Sequence, residues 1–344
     1  MKIKRLSSHL HRTNSNFEEL CRDSMSFIKS VIRRYLSKEK ISCKDYFRFI
    51  QDLKNEKGIK LQGITTLNHD EILEAFFRKR LIEFADGFNF ESKEGIREWN
   101  PKIFRKGKKL VYLKLHGSVN WSSIYVDKGK VENLVNVSFE DYKQEDRDGY
   151  RFRWQGKNYK EAEQLFLTGT NDKYFQYQYG VYIELWQQFD RILSKTDILI
   201  CIGYGFGDNA VNLRIIDWIG KKSGRKLLVI DIGEYEKGKD NAKGAIQSRL
   251  PEWKRDRKMI WRKKNIQDLT IEELMKYIII ATHPFTITIE QENDGFISLC
   301  PELDIASQGD TIEEAKHNLQ EAVELFFEYA SETEKSNRIN PNIT

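Results

Sequence analysis

Apolar residues recur at intervals of three and four from Phe17 to Leu36 (Phe17, Leu20, Cys21, Phe27, Ile28, Val31, Ile32, Tyr35 and Leu36), which predicts a helix with an apolar stripe. Asn16, with Glu19 three residues on, has the form of a capping box at its start. Tyr46 to Leu53 predicts a second, shorter helix. The pattern then shortens. Leu61 to Leu67 predicts a strand running into a helix that opens over Asn68 to Phe77. Leu110, Val111, Leu113 and Leu115 predict a buried strand that stops at His116-Gly117. Leu165 to Thr170 predicts a strand ending in a glycine turn, and Tyr174 to Leu193 a long aromatic-rich helix.

Ile198 to Ile202 is the clearest buried strand. It enters Gly203-Tyr204-Gly205-Phe206-Gly207-Asp208, then a predicted helix from Asn209 to Ile219 and a strand from Leu227 to Ile232. Strand, glycine turn, helix and strand make the βαβ unit of a parallel sheet. From Pro284 the texture changes. Phe285, Ile287 and Ile289 alternate with polar residues, Asn293-Asp294-Gly295 supplies a turn, and Phe296 to Cys300 returns as a second strand. A helix capped by Asp310 or Thr311 follows, with Ile312, Ala315, Leu319, Ala322, Val323 and Phe326 as its inner face. The chain therefore divides into an α/β unit over 1–270, with an insertion of short strands over 122–162, and a small α+β unit over 277–335.

Composition narrows the class. Apolar residues at 40% and charged residues at 32% of 344 fit a soluble globular protein, and a net charge of +5 from 57 basic and 52 acidic residues gives little support for nucleic acid. Arg255, Arg257, Lys258, Arg262, Lys263 and Lys264, with Trp253 and Trp261, form a basic aromatic patch that suits either a nucleic-acid surface or a solvated face. Cys21, Cys43, Cys201 and Cys300 are widely spaced with no C-x-x-C pair, which points to reduced thiols and a cytoplasmic protein without a zinc ribbon. The basic N-terminus lacks an apolar h-region, and no apolar run is long enough to cross a bilayer.

Candidate chemistry gathers at strand ends, where ligands sit in open α/β sheets. His116 places a titratable ring there, either as a base or as a structural ring at a strand end. Asn68 and Glu71 suit a helix cap with its reciprocal partner, or an amide and a carboxylate for a polar ligand. The turn at Gly203 reads G-x-G-x-G, short of a dinucleotide fingerprint, and Asp208 suits a helix cap. Asp231 suits a ribose hydroxyl.

Thr65-Thr66-Leu67-Asn68-His69-Asp70-Glu71, Lys114-Leu115-His116-Gly117-Ser118-Val119-Asn120-Trp121 and Ile202-Gly203-Tyr204-Gly205-Phe206-Gly207-Asp208 occur in that order. The series resembles the bacterial sirtuin-like family, relatives of NAD-dependent deacylases that often serve in defence against phage, over roughly Phe17 to Thr270. The resemblance implies a Rossmann-like parallel sheet with helices on both faces. It implies His116 as the catalytic histidine, with Asn68 beside it. Thr66, Asn68 and Asp70 would contact the nicotinamide half of NAD, Gly203, Tyr204 and Gly205 the adenosine half, and Asp231 an adenosine ribose. With no zinc cysteines, cleavage of NAD to nicotinamide and ADP-ribose is favoured over deacylation, with NAD as substrate and no metal. Such proteins usually begin with a strand and a Gly-Ala-Gly-x-Ser loop, which Met1 to Leu61 lacks. This implies either a fragment or a degenerate member with half its pyrophosphate cradle gone and exposed sheet edges. Residues 277–331 resemble HicB-type antitoxin domains through Phe285 to Glu290, Asp294-Gly295-Phe296, Cys300 to Leu303 and Ser307 to Ala315. That resemblance implies a module that binds a protein partner or self-associates. A catalytically inactive scaffold acting through this module is the alternative to an enzyme.

Overall fold

The computed structural model describes residues 15–38, 45–89, 95–105, 109–126, 130–137, 145–146, 149–154, 157–167, 180–282 and 285–339. In chain order the first elements are α1 (Ser15–Lys38), α2 (Arg48–Asn55), β1 (Gly63–Thr66), α3 (Ile72–Lys79), β2 (Phe84–Ala85), β3 (Ile96–Glu98) and β4 (Leu110–Lys114). Next come β5 (Gly117–Val126), β6 (Lys130–Val137), β7 (Glu145–Asp146), β8 (Gly149–Trp154), β9 (Lys157–Phe166), α4 (Gly180–Ser194), β10 (Ile198–Ile202), α5 (Asn209–Lys221) and β11 (Lys226–Asp231). The rest are α6 (Tyr235–Asn241), α7 (Ile246–Arg255), β12 (Met259–Lys263), α8 (Ile271–Thr282), β13 (Thr288–Glu292), β14 (Gly295–Cys300), β15 (Ile305–Gly309), α9 (Ile312–Tyr329) and α10 (Glu332–Ile339). The side chains of the Asn16–Glu19 pair, Cys43, 168–170 and 174–179 fall outside the described residues.

Two parallel half-sheets form the central layer, one ordered β1-β4-β2 and the other β10-β11-β12. Alternation sends neighbouring side chains to opposite faces. Leu113, Leu115, Leu199, Cys201, Leu227 and Val229 meet α4, α5 and α7 in one core, while Ile64, Tyr112, Ile198, Ile200, Leu228 and Ile230 meet α2, α3 and α8 in the other. Both half-sheets feed both cores, so they lie in one layer between two helical layers. This is the expected α/β arrangement with helices on both faces. The layer is interrupted: β1 and β10 are edge strands, and no ladder joins them among the described residues. Every residue of both strands is partly exposed.

The stretch expected as an insertion over 122–162 is a six-stranded antiparallel sheet, ordered β3-β6-β5-β9-β8-β7, and it starts earlier than the sequence suggests. Its strand β5 begins at Gly117, inside the His-Gly motif. Gly117 has a φ of +76°, and a Cβ there would meet the Leu165 carbonyl oxygen at 2.1 Å. The backbone of β9 passes that close, so the position requires glycine. Helix α1 docks on β5 through cations. Arg33 is fully buried, donating from Nε to Val119 O at 2.7 Å and from Nη2 to Ser122 Oγ at 2.8 Å.

The C-terminal strands form an antiparallel sheet, β13-β14-β15, against α9. Thr311 is the N-cap of α9, its Oγ1 accepting from Glu314 N at 3.1 Å, while the Glu314 carboxylate turns back to accept from Asp310 N at 2.9 Å. Ile312, expected on the inner face, is 46% exposed, and Phe327 is buried. A helix start lies outside its own first buried turn, which the apolar spacing alone does not reveal. The expected boundary at 277 falls within α8. Leu274 and Ile278 pack on the parallel layer, and Ile279 and Ile280 join Cys300, Leu303, Leu319 and Phe327 in the C-terminal core.

Candidate functional site

Parallel pairing aligns the carboxyl ends of the strands. Thr66 lies opposite Lys114, and Ile202 opposite Ile230, so His116, Gly203 and Asp231 all follow strands that end on one rim. The turn after β1 is held against the start of β5. Thr66 O accepts from Leu115 N at 3.1 Å, and His69 O accepts from Val119 N at 3.0 Å and from Ser118 Oγ at 3.2 Å. His116 is 5% exposed, and its backbone oxygen accepts from Leu167 N at 2.8 Å.

A side-chain contact ties the two half-sheets at this rim. His116 Nε2 lies 3.1 Å from Asp208 Oδ2, across 92 residues of sequence. Asp208 is also the N-cap of α5, its Oδ1 accepting from Ala210 N at 3.0 Å and Val211 N at 3.2 Å. One carboxylate therefore holds a helix start with one oxygen and the imidazole with the other. The sequence marks Asp208 only as a cap; the pairing with His116 is a tertiary fact.

The glycine turn is a built loop. Phe206 is fully buried at a φ of +52°, a left-handed conformation that a non-glycine residue adopts only where its surroundings hold it. Asn212 Nδ2 donates to Phe206 O at 2.8 Å and to Lys243 O at 2.9 Å. The Tyr204 hydroxyl donates inward, 2.8 Å from Asn212 Oδ1, and burial pushes its acidity far below that of a free phenol. Tyr204, expected near the adenosine half of NAD, uses its hydroxyl to pin the loop. Gly203, Gly205 and Gly207 are exposed, with nothing within 4 Å of where a Cβ would stand, which leaves their backbone open to an incoming group.

On the other turn, the expected cap pair of Asn68 and Glu71 does not form. Asp70 Oδ1 accepts from Ile72 N at 3.1 Å at the start of α3, and Glu71 Oε1 accepts from Asn120 Nδ2 at 2.6 Å. Asn68 is exposed; its backbone amide donates to Thr66 Oγ1 at 3.1 Å, and its side chain makes no hydrogen bond among the described residues. The amide is thus presented at the rim. Burial, with the nearby Glu74 charge second, raises the Glu71 pKa above the usual carboxylate value. Beneath the turn, buried Lys114 donates from Nζ to Glu74 Oε1 at 2.8 Å and to Asp70 O, and the Tyr112 hydroxyl donates to Glu74 Oε2 at 3.1 Å. This ladder fixes the backbone that carries Asn68 and Asp70. Asp231 Oδ1 accepts from Gly233 N at 2.7 Å, so one of its oxygens shapes the turn after β11.

The basic aromatic patch has a different character from the one its composition suggests. Trp253 is buried, and Trp261 Nε1 donates to Gly233 O at 3.0 Å within the core facing α4. Lys263 and Lys264 pair with Glu234 and Glu273. No group of three His, Cys, Asp or Glu side chains among the described residues is placed to hold a metal ion, and no described helix is long and apolar enough to cross a membrane.

The α/β fold gathers an imidazole–carboxylate pair, an exposed amide and an open glycine turn on one rim, the rim at which open α/β sheets commonly take their ligands. A family model for the SIR2-like domain matches residues 62–267, more than half of the chain, and the protein belongs to that family, which binds NAD. A search of curated proteins found no match to the chain.

Proposed function

We propose that this rim binds NAD and hydrolyses it to nicotinamide and ADP-ribose. The single observation that carries the reading is the His116–Asp208 contact, which joins the turn motifs of both half-sheets in one place. Asn68 holds the carboxamide with its exposed amide, beside Thr66 and Asp70, and the backbone at Gly203 and Gly205, next to Tyr204, receives the adenosine half. Asp231 offers its second oxygen to the adenosine ribose. Hydrolysis requires that positive charge developing on the ribose be stabilised and that water reach the sugar carbon as its bond to nicotinamide breaks. His116 takes the proton that water gives up. Asp208 orients the ring and stabilises the charge it acquires.

The C-terminal unit, in this reading, is a HicB-like module over 277–335 that binds a protein partner, and a role in defence against phage follows from the sirtuin-like resemblance alone. The test is purified protein incubated with NAD, with nicotinamide release measured beside a His116→Ala control. Release by the native chain and its loss in the variant support the enzyme. Equal signals from both reject it and leave the second reading, an inactive scaffold that acts through its C-terminal module.

A further inference from the structure

Helix α1 carries apolar residues on two faces. Its inner face is mixed: Met25, Ile32 and Leu36 are partly buried beside Arg33, which is enclosed against β5, and Lys29, whose Nζ donates to Gln164 O at 2.7 Å. A second apolar stripe points outward. Leu20, Phe27, Val31 and Tyr35 are 61%, 69%, 49% and 72% exposed. At 100° per residue these four fall within one narrow arc, opposite Lys29 and Arg33, and form a continuous stripe of about 22 Å at 1.5 Å per residue. Scattered apolar residues on a surface need no explanation, but an ordered stripe on a helix anchored by buried polar bonds marks an interface.

We propose that this stripe pairs with the same stripe of a second copy of the chain, the two α1 helices running antiparallel about a two-fold axis. Charge selects both the partner and the direction. The first half of the helix carries Glu18, Glu19 and Asp23 against the single Arg22, and the second carries Lys29, Arg33, Arg34 and Lys38 with no acid. Asp23 and Arg34 are exposed and lie on the same flank of the stripe, equally distant from a point between Ile28 and Lys29. Antiparallel pairing about that point sets Asp23 of each copy opposite Arg34 of the other, twice. Parallel pairing would set like charges together. A self-complementary patch of this kind closes at two copies.

Sedimentation velocity on the full chain at roughly 50 μM tests this. The expected particle has twice the 40.7 kDa chain mass. The double variant Phe27→Glu with Val31→Glu alters only exposed side chains and is expected to sediment as a folded monomer with unchanged circular dichroism. Asp23→Lys or Arg34→Glu alone should each weaken dimerisation roughly tenfold, and the two together should restore it to within about twofold. A monomeric native chain, a dimer that survives the Phe27 and Val31 changes, or failure of the combined reversal to rescue would overturn the proposal. Binding of a monomeric native chain to phosphatidylserine vesicles, lost in the Phe27 variant, would overturn it in favour of a membrane surface.

Discussion

Asp208 performs two tasks with two oxygens, and substitutions can remove them separately. Asp208→Ser retains a hydroxyl able to cap α5 but is too short to reach His116; Asp208→Asn retains the cap and places a neutral group before the imidazole; Asp208→Ala removes both. The cap satisfies two backbone N–H groups, at 3.0 and 3.2 Å, and its loss costs about 1 kcal/mol. His116 and Asp208 expose only 7% and 12% of their side chains, so solvent replaces the lost partner poorly, and that loss costs about 1–3 kcal/mol. The alanine variant should therefore lose about 2–4 kcal/mol, a melting shift of roughly 4–12 °C for a domain of this size. The serine variant keeps the cap and loses only the imidazole contact, so it should lose about 1–3 kcal/mol, and the asparagine variant should be nearest to native in stability. Urea unfolding followed by fluorescence of the seven tryptophans resolves these differences. On the same samples, nicotinamide release by Asp208→Asn should fall at least tenfold, because the orienting and charge-stabilising partner of the imidazole is gone while the loop stays folded. Three variants of equal stability would refute the dual role. Native turnover in Asp208→Asn would refute the part the pair plays in the chemistry.

Lys114→Met should cost about 3–5 kcal/mol, because it leaves Glu74 charged and buried, and a companion Glu74→Leu should recover most of the loss in thermal melts. If the single variant stays within about 1 kcal/mol of native, the buried pair does not hold the Asn68 turn. Glu71 has a raised pKa, so its folded form retains a proton more firmly than the unfolded chain does, and its contribution to stability is lost as pH rises through the folded value. Glu71→Gln should accordingly raise the melting temperature at pH 7, with the gain vanishing near pH 4; a gain that grows on acidification would contradict the sign. Gly203 N donates to Ile230 O at 2.9 Å, so by alternation Leu199 and Cys201 face β11 while Ile200 and Ile202 face the open edge of β10. Amide exchange at Ile200 and Ile202 should outpace that at Leu199 and Cys201 at least tenfold, and uniform protection along β10 would show that the edge is covered.

Much of the architecture was legible in the order of residues. Apolar runs at Leu110–Leu115 and Leu227–Asp231 became largely buried parallel strands, the run at Ile198–Ile202 became a parallel strand that lies partly exposed at an edge rather than buried as expected, and the three-and-four spacing of Phe17 to Leu36 became α1. Thr311 with Glu314 fixed the start of α9. These signals are local, since a strand or a helix turn is specified by neighbours that a short window contains. The three polar turns could likewise be found one at a time.

Their relation to one another could not. Nothing within a window around His116 points to Asp208, and nothing near Asn120 points to Glu71; such pairs depend on which strands lie side by side. The direction of an amphipathic face was equally hidden. The spacing in α1 established which apolar residues line up, but burial of Arg33 against Val119 and Ser122 turned Leu20, Phe27, Val31 and Tyr35 toward solvent and left Ile32 and Leu36 partly buried. Periodicity determines which side chains share a face, and only the packed partner, able to satisfy a guanidinium or exclude water from a leucine, decides where that face points.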